Sequence, residues 1–348
     1  MIRKNQRVIF LALSVSITVA CQKNKSLEPD GKSIILMKYA KSSSEADSLS
    51  YFPLPFGISE SDDQKIYIAS MVDNKVYVLN QDLAKVNTIG SAGQAPGELL
   101  GPAYLTIRNN LLYVVEWGNN RLSIFSLDGE FKKVIKLPLF FRGVNIAIDS
   151  HEKIYVVNTS SDDLITVLDG EGLIITSFGE KIDRIGASIR YSNIGLLTID
   201  EEDNLYVVFP THCTVRKYQN QNLAWEIDHS TFKPLSWYFE TMNKSNTDQA
   251  YTQTNDAGKI SEGMRYIASD CAFYQKKLYI RYEGTPPHGA GIYEIDPSSG
   301  RIERIFLFSH LKYRNTLYDI NNFFFVRNGR VVACDRNTGQ VILFSLNS

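Results

Sequence analysis

The sequence predicts an all-β fold: a six-bladed β-propeller of four-stranded antiparallel blades, closed by an N-terminal strand that joins the C-terminal blade. Three observations carry this expectation. Residues 95–135, APGELLGPAYLTIRNNLLYVVEWGNNRLSIFSLDGEFKKVI, hold four short apolar runs at 104–107, 111–115, 122–125 and 131–135, parted by polar or glycine-bearing turns. Runs and connections of that length make an antiparallel meander. The unit then recurs. The aromatic of its second strand returns as Tyr67, Tyr113, Tyr155, Tyr206 and Tyr279, with Val332 in the last copy, at gaps of 46, 42, 51, 73 and 53 residues. A four-stranded propeller blade takes about forty to fifty residues. Finally, the last copy lacks a fourth strand, while a lone apolar run at 33–39 is surplus at the other end. Joining the two closes the ring and leaves no edge exposed. A two-sheet sandwich is the competing arrangement of many short strands, but it does not explain why strand, turn and aromatic recur in one order.

The elements follow in chain order. Blade one begins near Phe56 and continues through 65–70, 74–80 and 85–90; blade two is the stretch just quoted. Blade three offers 145–149, 153–158, 164–169 and 173–179, with an Asp169-Gly170 turn that matches Asp128-Gly129 of blade two. Asp-Gly between apolar runs is a strong hairpin signal. Blade four runs through 196–200, 204–209, 214–219 and 223–227, and blade five through 269–274, 277–282, 291–296 and 301–308. The sixth has 323–326, 330–335 and 340–345. The long gap before Tyr279 contains an insertion at about 228–266, beyond the length of an ordinary connection.

Residues 1–20 stand apart from the propeller of residues 33–348. Arg3, Lys4 and Arg7 make a basic start, 8–19 is an apolar run too short to settle across a bilayer, and Ala20 precedes Cys21. This segment resembles a bacterial lipoprotein signal, with Thr18-Val19-Ala20-Cys21 in the place of the lipobox. A leucine is usual where Thr18 stands. The resemblance implies cleavage before Cys21 and acylation of that residue, and an ordinary secretory signal is the alternative. Residues 21–32 are polar and without hydrophobic pattern, as a tether is. Gln22 rather than an acid after the cysteine resembles what outer-membrane sorting accepts, so the expected address is the cell envelope, lipid-anchored, in the outer membrane of a Gram-negative bacterium.

With 37 Lys+Arg against 38 Asp+Glu, nothing suggests the broad positive footprint of a nucleic-acid binder. Three cysteines remain besides Cys21, and none forms a CxxC pair. An odd number argues against a disulfide framework, although one pair stays open, and Cys271 and Cys334 read as small buried hydrophobes. The run GSAGQAPGELLGP followed by LLYVVEWGNNRLSIFSLDGEF resembles an NHL repeat. The likeness covers Gly90 to Pro102, Tyr113, the Gly118-Asn119-Asn120-Arg121 turn and Asp128-Gly129. It implies a six-bladed propeller, and a propeller on a lipid-linked tether is similar to a group of Bacteroidetes-type lipoproteins.

Links from an outer strand to the next inner strand share a face with the links between second and third strands, and that face is where a ligand is expected. Trp117 there offers a stacking surface, blade-edge packing being the alternative. Arg142, Arg190 and Arg265, with Arg184, can clamp a carboxylate or phosphate, or serve as solvated charges. In the insertion, 234–245 patterns as a short amphipathic helix bearing Trp237, either a cap over the channel or a packing element. His212, His229, His288 and His310 fall in links of the same face, whereas His151 lies in a turn of the opposite one. No pair has ligand spacing, so the expectation is solvated loop histidines and no cofactor, with a divalent metal as the alternative should they converge. Arg121 reads as structural. The acid clusters at 62–63 and 200–203 read as solvated hairpin tips. No phosphate loop, GxSxG, HExxH or EF-hand spacing is present.

The expected function is a binding module for a small molecule, glycan or protein at the cell envelope. The alternative is a metal-dependent hydrolase or lyase at the central channel mouth, since the fold resembles lactone hydrolases and the lyase that completes peptide amidation. A structural partner in an envelope complex is a third reading, and it predicts an exposed apolar patch.

Overall fold

The structure is a computed structural model that describes residues 33–42, 52–53, 55–137, 145–159, 161–182, 193–232, 250–254, 260–264, 267–282, 291–308, 312–313, 316–317, 320–326, 330–335 and 339–345. Cys21, Arg142, Arg184, Arg190, Trp237, Arg265, His288 and His310 lie outside them, as do the 234–245 segment and the tether.

Four blades are separate four-stranded antiparallel sheets. Blade 1 comprises Pro55–Glu60, Ile66–Ser70, Lys75–Leu79 and Lys85–Ile89, and blade 2 comprises Pro102–Arg108, Leu111–Glu116, Arg121–Ser126 and Phe131–Lys136. Blade 3 is built from Ala147–Ile148, Ile154–Val157, Ile165–Leu168 and Ile174–Phe178. Blade 4 is built from Leu196–Ile199, Leu205–Val208, Thr214–Gln219 and Asn222–Asp228. The remaining large sheet has eight strands. It holds blade 5 (Ala268–Tyr274, Lys277–Tyr282, Gly291–Ile295, Ile302–Phe308) and the strands Ile320–Val326, Arg330–Asp335 and Gln340–Ser345 of blade 6. The first strand, Ser33–Ser42, joins the two.

That strand has two partners. Its second half pairs antiparallel with Gln340–Ser345 (Lys38 with Ser345, Ser42 with Ile342), the closure expected from the sequence. Its first half pairs parallel with the outer strand of blade 5 (Ser33 with Arg304, Met37 with Phe308), which the sequence did not suggest. Hence six blades make only five large sheets.

A repeated irregularity shows which half is the sixth outer strand. In blades 1 to 5 one residue of the outer strand stands unpaired near the hairpin that leads into it: Val86, Lys132, Ile175, Ala224 and Glu303. In Ser33–Ser42 the same slip falls at Ala40, within the half that pairs with blade 6. Such bulges raise the local twist and blunt a free edge.

Packing confirms the count. Six clusters of buried side chains lie one at each junction, from Tyr67, Val76 and Ile89 against Leu105 and Phe125 between blades 1 and 2 round to Val332 and Leu343 against Ile58, Ile66 and Phe52 between blades 6 and 1. The ring is therefore closed by hydrophobic burial as well as by hydrogen bonds. Gly57 is a close approach of blades 1 and 2. A Cβ there would lie 2.7 Å from the Leu105 nitrogen and 2.8 Å from the Tyr104 Cα, both backbone, so only glycine fits.

The recurring tyrosine is buried in each blade that has it, and in blades 3 and 4 its hydroxyl finds a partner in the preceding turn. Tyr155 donates to Asp149 Oδ2 at 3.1 Å and Tyr206 to Asp200 Oδ2 at 2.9 Å, six residues upstream in both cases. The other carboxylate oxygen closes the turn, Asp200 Oδ1 accepting from the amides of Glu202 (3.1 Å) and Asn204 (2.8 Å). Asp200 is thus buried and structural, not a solvated tip. Burial, and then the neighbouring carboxylate, push both phenols well above the ordinary tyrosine value. Cys213, Cys271 and Cys334 are buried free thiols.

Candidate site at the channel mouth

Each inner strand ends its sheet and so turns one hydrogen-bonding edge toward the axis. The space these edges enclose is a cavity of about 240 Å³ lined by inner strands of blades 1 to 5: residues 57–60, 104–108, 145–148, 197–199 and 270–273. Asn145 stitches two of them together, donating from Nδ2 to the Leu197 carbonyl (2.8 Å) and accepting at Oδ1 from the Leu197 amide (2.6 Å).

At the link-bearing mouth, three rings from different elements meet. Trp117 follows the second strand of blade 2, Phe56 begins the inner strand of blade 1, and Tyr104 lies in the inner strand of blade 2 and lines the cavity. Ring centroids are 5.5 Å apart for Phe56 and Trp117, 6.1 Å for Tyr104 and Trp117, and 6.0 Å for Phe56 and Tyr104, all tilted or edge-on. Such pairs stabilise beyond their buried area. Trp117 nonetheless keeps 44% of its surface exposed.

A buried carboxylate holds this mouth in shape. Glu116 accepts from the Leu100 amide (2.9 Å), Asn119 Nδ2 (2.6 Å), Arg121 Nε (2.7 Å) and the Ser123 hydroxyl. Arg121 in turn donates to the carbonyls of Gln94 (2.7 Å), Ala95 (3.3 Å) and Glu98 (2.7 Å), fastening the 90–101 link over the turn. The structural role expected of Arg121 is the one it has. Gly118 has no room for a Cβ against the Leu100 carbonyl at 2.9 Å, and Asn120 takes a left-handed φ of 48°.

The sequence matches a family described as a 6-bladed beta-propeller over residues 57–294, more than half of the chain. The chain belongs to that family. Among curated proteins none matches. Of solved structures, a streptogramin B lyase aligns with a TM-score of 0.53 at 16% identity, over 86% of this chain and 95% of that one. A putative exported protein of Bacteroides fragilis gives 0.52 at 14%, over 89% and 93%. A protein of unknown function from Bacteroides thetaiotaomicron gives 0.54 at 11%, over 85% and 70%. Identities this low establish a shared fold and leave chemistry to this propeller's own residues.

Of the ligand-binding candidates Trp117, Arg142, Arg190, His212, Trp237, Arg265 and His288, Trp117 and His212 are among the described residues, and they are not brought together. His212 is buried rather than solvated: its ring stacks on Phe209 (4.9 Å, 21°) and Nδ1 lies 2.9 Å from the Thr214 hydroxyl. His229 is buried too, with Nδ1 2.7 Å from the Tyr282 hydroxyl and Nε2 2.8 Å from the Gly300 carbonyl. A carbonyl only accepts, so Nε2 carries the proton and Nδ1 accepts from Tyr282. Both nitrogens are spent on the fold. In the insertion, a short 3-10 turn at His229–Thr231 and a hairpin of Ala250–Thr254 with Ile260–Met264 are present.

The sequence reading passed over His151, yet it belongs to the one group of potential metal ligands among the described residues, Asp149, His151 and Asp203, on the face opposite the mouth. Its oxygens are already in use. Asp149 serves its own turn and Tyr155, while Asp203 accepts from the Ser150 amide (2.9 Å) and hydroxyl and faces Arg108 at 3.5 Å. Burial works against ionisation of Asp203, but Ser150 and Arg108 outweigh it and hold that carboxyl below its ordinary value. The arrangement ties blade 3, blade 4 and blade 2 together.

His229 should make the protein sensitive to mild acid. Desolvation lowers its pKa below the ordinary imidazole value of about 6.5, the value it regains on unfolding. The unfolded chain therefore binds a proton that the folded one refuses, so this site leaves stability untouched above about pH 6.5 and subtracts from it below. The unfolding free energy should fall as the pH drops below about 6.5, with a slope from this site of at most about 1.4 kcal/mol per pH unit, and His229→Leu should flatten that slope. An equally steep slope in the variant would assign the effect elsewhere.

Proposed function

We propose that this propeller is a lipid-anchored binding module of the cell envelope, similar to NHL-repeat lipoproteins of the Bacteroidetes type, holding its ligand at the link-bearing mouth of the channel. One observation carries the reading: an exposed tryptophan stands over a cavity whose wall includes the tyrosine it packs against. Binding sites combine an apolar surface with a few directed polar groups in a concave place. The metal-dependent hydrolase or lyase draws less support, since His229 has no nitrogen left for a metal.

The test is a thermal-shift screen of the full chain in detergent against small molecules and oligosaccharides, with Thr106→Trp to fill the cavity. A ligand at a hundred times its Kd adds about 2.7 kcal/mol of stability. The parent should gain and the filled variant should not. Equal gains in both would move the site away from the channel. In the same cells Cys21→Ala should lose palmitate labelling and leave the membrane fraction, and retained labelling would remove the anchor from this reading.

A further inference from the structure

We infer that the channel mouth is a subsite for one neutral pyranose ring, with Trp117 as the platform beneath its C–H face, an inference that rests on the binding-module reading above. The indole is gripped at 5.5 Å by Phe56 and at 6.1 Å by Tyr104, yet 44% of its surface is open. A flat ring held from one side with nearly half its area free presents a face to solvent. Its Nε1–H makes no hydrogen bond among the described residues, which leaves a donor at the edge of that face. Tryptophan combines an apolar body with a polar handle that seeks a partner.

The neighbouring wall decides what kind of ligand fits. The three rings touch one another, so they leave no gap of the kind in which an aromatic cage encloses a quaternary ammonium. Beyond Tyr104 the channel is lined by strand edges and by polar side chains such as Ser59, Thr106 and Thr198. A wholly apolar ligand would strip water from those groups without replacing its hydrogen bonds. The wall's basic residue among those described, Arg108, already faces Asp203 at 3.5 Å on the opposite face, and its acids are Glu60 and Asp270, so the lining does not select an anion. A neutral sugar satisfies all of this: one face of C–H groups for the indole, and a rim of hydroxyls that both donate and accept. The cavity of about 240 Å³ has room for a single ring unit.

The experiment probes the full chain on an array of neutral and acidic oligosaccharides, followed by calorimetric titration of the best neutral one. Trp117→Ala should weaken binding at least tenfold when titrated well below its own melting temperature, and Trp117→Tyr, which keeps an aromatic face, should recover most of the loss. Undiminished binding by Trp117→Ala would overturn the platform while leaving the binding module standing. Acidic glycans bound in preference to neutral ones would overturn the neutral-ring assignment. Binding of no oligosaccharide by the parent would overturn the sugar subsite. In that case a cavity-dependent hit in the thermal-shift screen preserves the wider reading, and its absence removes both.

Discussion

Removing residues 33–42 should cost the propeller at least about 5 kcal/mol, a third or more of the stability typical of a folded domain, and leave a chain prone to self-association. The reason is that this one strand covers two edges. Without it the outer strand of blade 5 and the third strand of blade 6 each lose one of their two ladder partners. Met37, fully buried, sits among Tyr279, Ile292, Phe306, Phe308, Ile342 and Phe344, so its loss opens the junction between those blades. Met37→Ala alone should cost about 2–5 kcal/mol by the cavity it leaves. Two shorter deletions separate the roles. Loss of 38–42 removes the strand that carries the recurrent bulge and should open the ring, whereas loss of 33–37 removes the parallel clamp on blade 5 together with Met37. A synthetic 33–42 peptide should restore the denaturation midpoint of the truncated chain. Were the truncated chain to unfold at the parental midpoint, closure through the first strand would be wrong.

Closure was legible because it is a counting problem: a four-stranded repeat with three strands left at one end and one at the other has a single economical solution. The strands were legible for a related reason, since short apolar runs such as Leu111–Glu116 and Arg121–Ser126 sit between turns whose residues tolerate left-handed backbone, Asn109, Asn110 and Asn120 among them. The parallel pairing of 33–37 was not legible. A strand with two partners in succession has the same pattern as a strand with one. Nor did the sequence distinguish a histidine in a link from a histidine under a link, so His212 and His229 read as solvated when both are buried. A signal for the buried acids did exist: the six-residue interval from Asp149 to Tyr155 repeats from Asp200 to Tyr206, and a repeat of that kind marks a pair rather than a turn tip. At the mouth Trp117 could be found, but Phe56 and Tyr104 could not be assigned to it, because their meeting depends on how blades 1 and 2 approach at Gly57.

Glu116→Ala should lose about 3–5 kcal/mol, the cost of breaking a buried ion pair by removing one partner. The carboxylate is inaccessible and accepts from four donors, so its loss strands the Leu100 amide, the Asn119 amide, the Ser123 hydroxyl and the Arg121 guanidinium together. The damage should travel outward. Arg121 holds the link at Gln94, Ala95 and Glu98, and the link in turn fixes the start of the inner strand that carries Tyr104. Amide exchange should therefore quicken at Leu99, Leu100 and Gly118, whose hydrogen bonds close that link, and stay slow in blade 4. Arg121→Lys should reproduce part of the loss, because an ammonium cannot reach the carboxylate and three carbonyls at once with a planar fork. A double-mutant cycle with Arg121→Ala should show a coupling above about 1 kcal/mol, as residues of one network do. Two changes that simply add, or a Glu116→Ala variant within about 1 kcal/mol of the parent, would mean that the link is held by its own turns and that the mouth owes its shape to the aromatic rings alone.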